Sequence, residues 1–103
     1  MTPEQRAIAE RRIKLYLDVD TERGTVRWKD PLPPSAGKRA KAGQEIKTLV
    51  VQDEEYNRVN VTRSRIIWFA ATGEWPARIY LLNPRARYKL AYSNLRAENE
   101  DNE

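Results

Sequence analysis

The side chains that most often perform catalysis at neutral pH are missing from this sequence. It contains no histidine and no cysteine. Histidine is the usual general base and the commonest metal ligand, and cysteine supplies thiolate nucleophiles and zinc ligands. A metal site would depend on carboxylates alone. We therefore expect no catalytic residues, no bound metal and no cofactor.

Basic side chains are the second chemical feature, and they are concentrated in the C-terminal half. Between Tyr56 and Arg96 there are eight basic residues and one acid, Glu74, whereas the first 55 residues carry eleven basic and ten acidic side chains. The last seven residues, AENEDNE, add four acids. This imbalance favours a polyanionic partner, with the tail as a possible electrostatic competitor. A solubilising surface with frayed ends is the alternative, and charge alone leaves both open.

The N-terminal elements follow from local signals. Thr2, Pro3 and Gln5 have the spacing of a capping box, which predicts a helix over 2–17. The predicted inward positions of this helix are Ala7, Ile8, Ile13 and Leu17. A turn at 22–24 and a half-buried strand at 25–29 should follow. We expect the three tryptophans, Trp28, Trp68 and Trp75, to dominate the core, because aromatic rings bury the most area.

The middle of the chain reads as a break and then a hairpin. Residues 31–43 are rich in proline and glycine, which predicts a loop or an extended arm. Its basic residues, Lys38, Arg39 and Lys41, would suit a nucleic-acid groove, although a solvated connector is the other interpretation. Runs at 45–51 and 56–61 indicate two strands joined by an acidic turn at 53–55.

The C-terminal half is predicted to begin with a buried helix over 63–72, capped by Thr62 and closed by Gly73. Ile66, Ile67, Phe69 and Ala70 are its apolar residues. An apolar run at 79–82, a basic loop at 83–87 and a last helix through Arg96 should follow, and residues 97–103 form an acidic tail that we expect to be disordered.

Several pieces of the chain, in this order, resemble the small HNH homing-type endonucleases common in bacteriophage genomes. One piece is the segment from Leu17 through Gly24 to Lys29, and another is the Tyr56–Val61 strand. The most specific pieces are Arg65 to Trp68 with Gly73 to Pro76, and Asn94-Leu95-Arg96. The resemblance implies an α+β fold over 1–103 as a single domain, with an N-terminal helix, a short antiparallel sheet and a degenerate ββα-metal, HNH-like C-terminal half.

The residues that would cleave DNA in that family are replaced here. Counted without gaps, the family's Asp-His falls on Leu81 and Leu82, its Asp-Asn on Lys89 and Leu90, and its earlier His on Ser64. In such enzymes a His polarises the water that attacks the phosphodiester, and other side chains hold a divalent ion against the scissile phosphate. The resemblance therefore implies an inactive nuclease homologue, with Leu81 and Leu82 packed where the active site lay.

Basic residues that could bind DNA are still present. Phosphate contacts by such residues supply most of the affinity of non-specific binding, and they do not need a metal. The candidate DNA-binding residues are Arg63, Arg65, Arg85, Arg87, Lys89 and Arg96, with Lys38, Arg39 and Lys41 as an arm. Arg65 and Arg96 could instead brace the fold. The predicted partner is double-stranded DNA, for a phage-encoded regulator or accessory factor.

Two other functions remain open at this point. A phage protein that binds and inhibits a host protein or defence complex could reuse the same scaffold, since fold does not determine function. The acidic strip Asp53-Glu54-Glu55 or the acidic tail could then face a basic partner. An active nuclease would need an acid cluster built from Asp18, Asp20 and Glu22, residues that are better suited to shaping the turn before Trp28.

Location follows from what the hydrophobic pattern lacks. The N-terminal sequence has no apolar signal segment, and no apolar run approaches the roughly 20 residues that span a bilayer. We therefore expect no membrane partner and an intracellular, cytoplasmic protein, in the host cell if a phage encodes it.

Overall fold

The computed structural model describes residues 1–30 and 40–99. These form a small α+β fold, as the sequence predicted. The helices are α1 (Pro3–Tyr16) and α2 (Arg63–Thr72). The strands are β1 (Leu17–Asp20), β2 (Thr25–Trp28), β3 (Thr48–Gln52), β4 (Arg58–Thr62), β5 (Pro76–Leu81) and β6 (Leu95–Asn99). They pair as three two-stranded sheets, β1–β2, β3–β4 and β5–β6.

The chain divides into two compact units. The first contains Met1–Asp18 and Arg27–Thr62, and the second contains Val19–Val26 and Arg63–Glu103. The β1–β2 hairpin therefore contributes its base to the first unit and its tip to the second. In the described parts of the chain, the first unit holds nine basic and eight acidic residues, and the second holds eight basic and four acidic ones. Among the described residues, the second unit therefore has the larger excess of basic side chains; the undescribed residues add two basic residues to the first unit and three acidic ones to the second.

The first unit is built on the predicted N-terminal helix. The Thr2 hydroxyl accepts a hydrogen bond from the Gln5 N–H at 3.1 Å, and the Gln5 side chain accepts one from the Thr2 N–H at 2.9 Å, which completes the capping box. Ala9 and Ile13 are buried, whereas Ala7, predicted to point inward, is exposed. The inward stripe is shifted because it must face the β3–β4 hairpin. Arg12 links the two elements by donating to the Val50 carbonyl at 2.6 Å, and burial lowers the pKa of its guanidinium.

The β3–β4 hairpin has the register Val50 opposite Asn60, and its turn lies where the acidic link was predicted. Leu49, Val51 and Val61 point into the core of the first unit. Residues 43–45 lie beside the base of β2, where Arg27 forms a bridge and a 3.6 Å ion pair with Glu45. Strand β3, which the sequence predicted to start at residue 45, therefore begins only at Thr48.

The second unit packs α2 against β5 and against the 3-10 turn Tyr92–Asn94. Ile66, Ile67 and Leu95 are fully buried there, together with Val26 from the hairpin tip. Helix α2 ends as predicted, because Gly73 has a positive φ of 79° and its N–H donates to the Phe69 carbonyl at 2.7 Å. The predicted burial of this helix holds only in part: Ile66 and Ile67 are buried, whereas Phe69 is half-buried and Ala70 is exposed.

Two predictions about larger features were wrong. The tryptophans are only half-buried, and the fully buried side chains are Ile, Leu and Val, because a core this small seldom encloses a whole indole ring. Trp75 stacks on Phe69 with ring centroids 4.5 Å apart, and Trp68 lies 5.1 Å from Tyr92. The predicted last helix is a short 3-10 turn, Tyr92–Asn94, followed by strand β6. Ala97–Asn99 of the predicted disordered tail therefore pair with β5, and the rest of that tail lies outside the described residues.

Candidate nucleic-acid interface

The basic loop, residues 83–91, joins the end of β5 to the 3-10 turn. The β5–β6 ladder continues one step into it, since the Leu82 N–H donates to the Asn94 carbonyl at 2.9 Å. Two tight turns follow, closed by Ala86 N–H to the Asn83 carbonyl at 3.1 Å and Ala91 N–H to the Tyr88 carbonyl at 3.0 Å. The Asn83 side chain also accepts from the Arg85 N–H at 3.0 Å, the local bond that makes Asn a turn residue.

One side chain, Asn94, ties the two ends of this loop together. Its Oδ1 accepts from the Asn83 N–H at 3.0 Å. Its Nδ2 donates to the Asn83 carbonyl at 3.0 Å and to the Lys89 carbonyl at 2.8 Å. An amide is suited to this position because it carries a donor and an acceptor on one rigid group. The conformation of the loop is thus specified by hydrogen bonds that leave its charged side chains free.

The tip of the β1–β2 hairpin, at Thr21 and Gly24, contacts the main chain at the C-terminal end of the basic loop. The Tyr92 N–H donates to the Thr21 carbonyl at 2.8 Å. Gly24 is buried with φ of 71°, and a Cβ at that position would clash with the main chain of Leu90 and Ala91. Glycine is therefore required there both for its backbone conformation and for its size. Asp20, once considered for an acid cluster, accepts from the N–H groups of Glu22 and Arg23 and shapes this turn.

The three cations of the loop are all exposed. Arg85, Arg87 and Lys89 stand at alternate positions along it, and within residues 1–30 and 40–99 none of them forms an ion pair. The Arg87 guanidinium lies 5.2 Å from the centroid of the Tyr88 ring, a cation–π distance. The structure therefore brings together the cluster that the sequence singled out, on a loop with a defined backbone.

The other candidate arginines of the second unit are less available. Arg65 is half-buried and donates to the Ala77 carbonyl at 3.2 Å, which braces α2 against β5. Arg63 is half-buried, and its Nε is buried without a hydrogen-bond partner in the described structure. Arg96 is exposed, with a 2.9 Å bond to the Leu95 carbonyl beside it. Of these three, Arg96 is the one with an open side chain.

The proposed basic arm can be followed only in part. Lys41 is exposed, in a turn of the first unit where its N–H donates to the Gln44 side chain at 3.1 Å. Lys38 and Arg39, and with them most of the 31–43 loop, lie outside the described residues.

Four of the five positions that the resemblance aligned with catalytic residues lie at the two ends of the basic loop. Leu81 is the last residue of β5 and Leu82 follows it, Lys89 and Leu90 lie near the end of the loop, and the hydrogen bonds of Asn94 reach Leu82 and Lys89. Leu81 is half-buried, but Leu82 is 55% exposed, so the prediction that both leucines pack inward was wrong. Strand alternation explains this, because neighbouring residues point to opposite faces. Ser64 is half-buried in the first turn of α2.

A feature that sequence reasoning missed is the outward face of the β5–β6 sheet. Arg78, Tyr80 and Leu82 follow one another at every second position, with Arg96 opposite Tyr80 and Glu98 opposite Arg78. A hydrogen bond with Tyr80, and then the charge of Glu98, raise the pKa of Arg78. The period-two pattern of Arg-Ile-Tyr-Leu-Leu was the signal that could have revealed this face.

Acidic side chains do not assemble into a metal centre in the described structure. No group of three or more acidic residues lies close enough to hold an ion, within residues 1–30 and 40–99. Of the strip Asp53-Glu54-Glu55, Asp53 is only 8% exposed and accepts from the N–H groups of Glu55 and Asn57, both at 2.9 Å. Only Glu54 and Glu55 therefore present charge to solvent.

The remaining findings concern membrane spans and similarity to known proteins. None of the helices in the described ranges has the length and apolar character needed to cross a bilayer. No protein-family model matches the chain, and no curated protein or solved structure matches it.

Proposed function

We propose that this protein binds double-stranded DNA through the basic loop and does not cleave it. The observation that carries the proposal is the display of Arg85, Arg87 and Lys89 on a loop whose backbone is held by Asn94. Phosphate oxygens are recognised by such groups, and positioning them in advance lowers the entropy lost on binding. The stretch from Tyr56 to Arg96, with eight basic residues and one acid, adds long-range attraction to a polyanion.

The resemblance to small HNH endonucleases supports the same proposal at the level of the fold. We propose that β5, the basic loop and β6 correspond to the C-terminal half of that family. The supporting features are the antiparallel pairing of β5 with β6 and the placement of positions 81–82 and 89–90 at the two ends of one loop. With Leu and Lys at those positions, a hydrolytic metal ion has no ligands there, and Lys89 favours phosphate over a cation.

The test is fluorescence anisotropy of the purified protein with a labelled duplex at several salt concentrations. Each lost phosphate contact lowers the slope of log affinity against log salt by about 1. The triple variant Arg85→Gln, Arg87→Gln, Lys89→Gln should therefore reduce that slope by about 3. The matched control is Arg11→Gln, Lys14→Gln, Lys47→Gln, which removes the same charge from exposed positions of the first unit.

The outcomes distinguish phosphate contacts made by the basic loop from a general effect of the protein's net charge. A much larger loss in the loop variant than in the control supports the proposal. Equal losses, or wild-type binding that does not depend on salt, overturn it. The proposal that the protein does not cleave DNA is tested by incubating it with plasmid DNA and magnesium or manganese. Nicking activity that co-purifies with the protein would contradict it.

A further inference from the structure

We infer that the outward face of the β5–β6 sheet stacks unpaired bases, so that the preferred ligand is a nucleic acid with a single-stranded segment. This inference rests on the proposed function and extends it, because the basic loop would hold phosphates while the sheet face holds bases. It depends on residues that the duplex proposal does not use, chiefly Tyr80.

The two faces of this sheet differ in chemistry. Leu95 is buried, and Ile79, Leu81 and Ala97 are half-buried on the inward face. The outward face carries Arg78 and Tyr80 on β5, Leu82 directly after β5, and Arg96 and Glu98 on β6. Tyr80 is 45% exposed and Leu82 is 55% exposed, so a small sheet leaves a large aromatic and a large aliphatic side chain in solvent.

Tyr80 lies among cations. Arg78 precedes it by two positions on the same face of the strand, and Arg96 is its direct partner across the ladder. Tyr80 is 45% exposed, so a base can reach its ring. Guanidinium groups also pair with phosphates and stack on bases themselves. Glu98 is the one acid on this face among the described residues, and it lies opposite Arg78.

The sheet face continues into the basic loop. The row formed by Arg78, Tyr80 and Leu82 ends where Asn83 begins the loop. Beyond it, Tyr88 is 40% exposed, with the Arg87 guanidinium 5.2 Å from its ring centroid. Exposed aromatic and basic side chains therefore occur both on the sheet face and in the loop that follows it, the combination used to bind single strands without sequence preference.

The accessibility of the flat base surfaces favours an unpaired strand over a duplex as the ligand of this face. In a duplex the flat surfaces of the bases are already stacked on one another, so an open sheet can offer them only charge. An unpaired base can stack on Tyr80, and such stacking is worth about a tenfold change in affinity per base or more. The positive charges around Tyr80 match a polyanion and disfavour a plain apolar peptide.

The experiment compares a labelled oligothymidine strand with a duplex of equal length, at the same salt concentration. The wild-type protein should bind the single strand more tightly. Tyr80→Leu should lower single-strand affinity about tenfold while duplex affinity changes less than about twofold. Tyr80→Phe keeps the ring and should retain single-strand binding, which separates stacking from the loss of the bond to Arg78. An oligouridine strand run in parallel distinguishes RNA from DNA as the source of the unpaired bases.

Tyr56→Leu is the matched control, because Tyr56 is 80% exposed in the turn of the first unit. Equal losses for Tyr56→Leu and Tyr80→Leu, or equal effects of Tyr80→Leu on strand and duplex, overturn the inference. If duplex binding depends on the loop cations but the protein shows no preference for single strands, the proposed function stands and only the stacking inference is overturned. No binding of either probe removes both.

Discussion

The turn between β3 and β4 and the loop between β5 and β6 are organised in the same way and carry opposite charges. In the first, the acidic turn (residues 53–57), the Asp53 carboxylate accepts from the Glu55 and Asn57 N–H groups. In the second, the basic loop, the Asn94 amide binds main-chain groups at both ends. The acidic turn uses one polar side chain, Asp53, to hold its backbone, and the basic loop uses two, Asn83 and Asn94. In both segments the other charged side chains are left free to face solvent.

The difference lies in how much each segment depends on the rest of the chain. The acidic turn is short and local, and its carboxylate serves only as an acceptor. The basic loop is longer, needs a donor as well as an acceptor, and is backed by the hairpin tip through Thr21 and Gly24. A short turn can be specified by nearby residues, whereas a longer loop needs distant ones, and the latter is where a defined array of cations can be held.

Gly24→Ala should have the largest effect. Its methyl group would meet the main chain of Leu90 and Ala91, and the positive φ adds strain. We expect the free energy of unfolding to fall by about 3 kcal/mol, as measured by urea denaturation. Gly43→Ala is the control, because Gly43 also has positive φ (82°) but no atoms lie near its added Cβ, so it should lose only about 1 kcal/mol. Equal losses would mean that the hairpin tip does not support the basic loop.

Asn94→Asp should have the next largest effect. The substitution keeps the shape but removes both donated hydrogen bonds and places a carboxylate against the carbonyls of Asn83 and Lys89. We expect a loss of about 2 kcal/mol in stability, measured by thermal unfolding. Duplex affinity should also fall, since the cations lose their defined spacing. Unchanged stability would show that the loop does not depend on the Asn94 amide.

The reciprocal change in the acidic turn, Asp53→Asn, should be much milder. The amide oxygen can still accept from the N–H groups of Glu55 and Asn57, so we expect a loss below about 0.5 kcal/mol. Asp53→Ala removes the acceptor and should cost about 1 kcal/mol by the same thermal measurement. If the asparagine variant is as unstable as the alanine variant, the negative charge itself stabilises the turn and the comparison needs revision.

The smallest effect is expected from Glu54→Gln with Glu55→Gln. Both side chains are exposed, and exposed charges outside a binding contact act only through a screened field. Duplex affinity, followed by anisotropy at physiological salt, should rise by less than about twofold. A larger increase would place the acidic turn within the binding interface.

Elements with strong local signals were predicted well. The capping box at Thr2 and Gln5, the glycine end of α2 at Gly73 and the acidic turn all depend on residues within a few positions of one another. The cluster Arg85, Arg87 and Lys89 was also visible, because charge density needs no knowledge of the fold. The sheet face around Tyr80 was not identified, since it exists only when β5 finds β6 as its partner.

The amino-acid sequence alone showed that the chain lacks histidine and cysteine and that its C-terminal half is basic, because these are properties of composition. It also predicted where both helices begin and end, because short-range hydrogen bonds need no distant partner. Tertiary structure decided the rest. Leu95 to Asn99 contains good helix formers, yet pairing with β5 makes it a strand that buries Leu95. The half-burial of the tryptophans and the requirement for glycine at position 24 were likewise set by residues remote in sequence, because only the folded chain brings those atoms into contact.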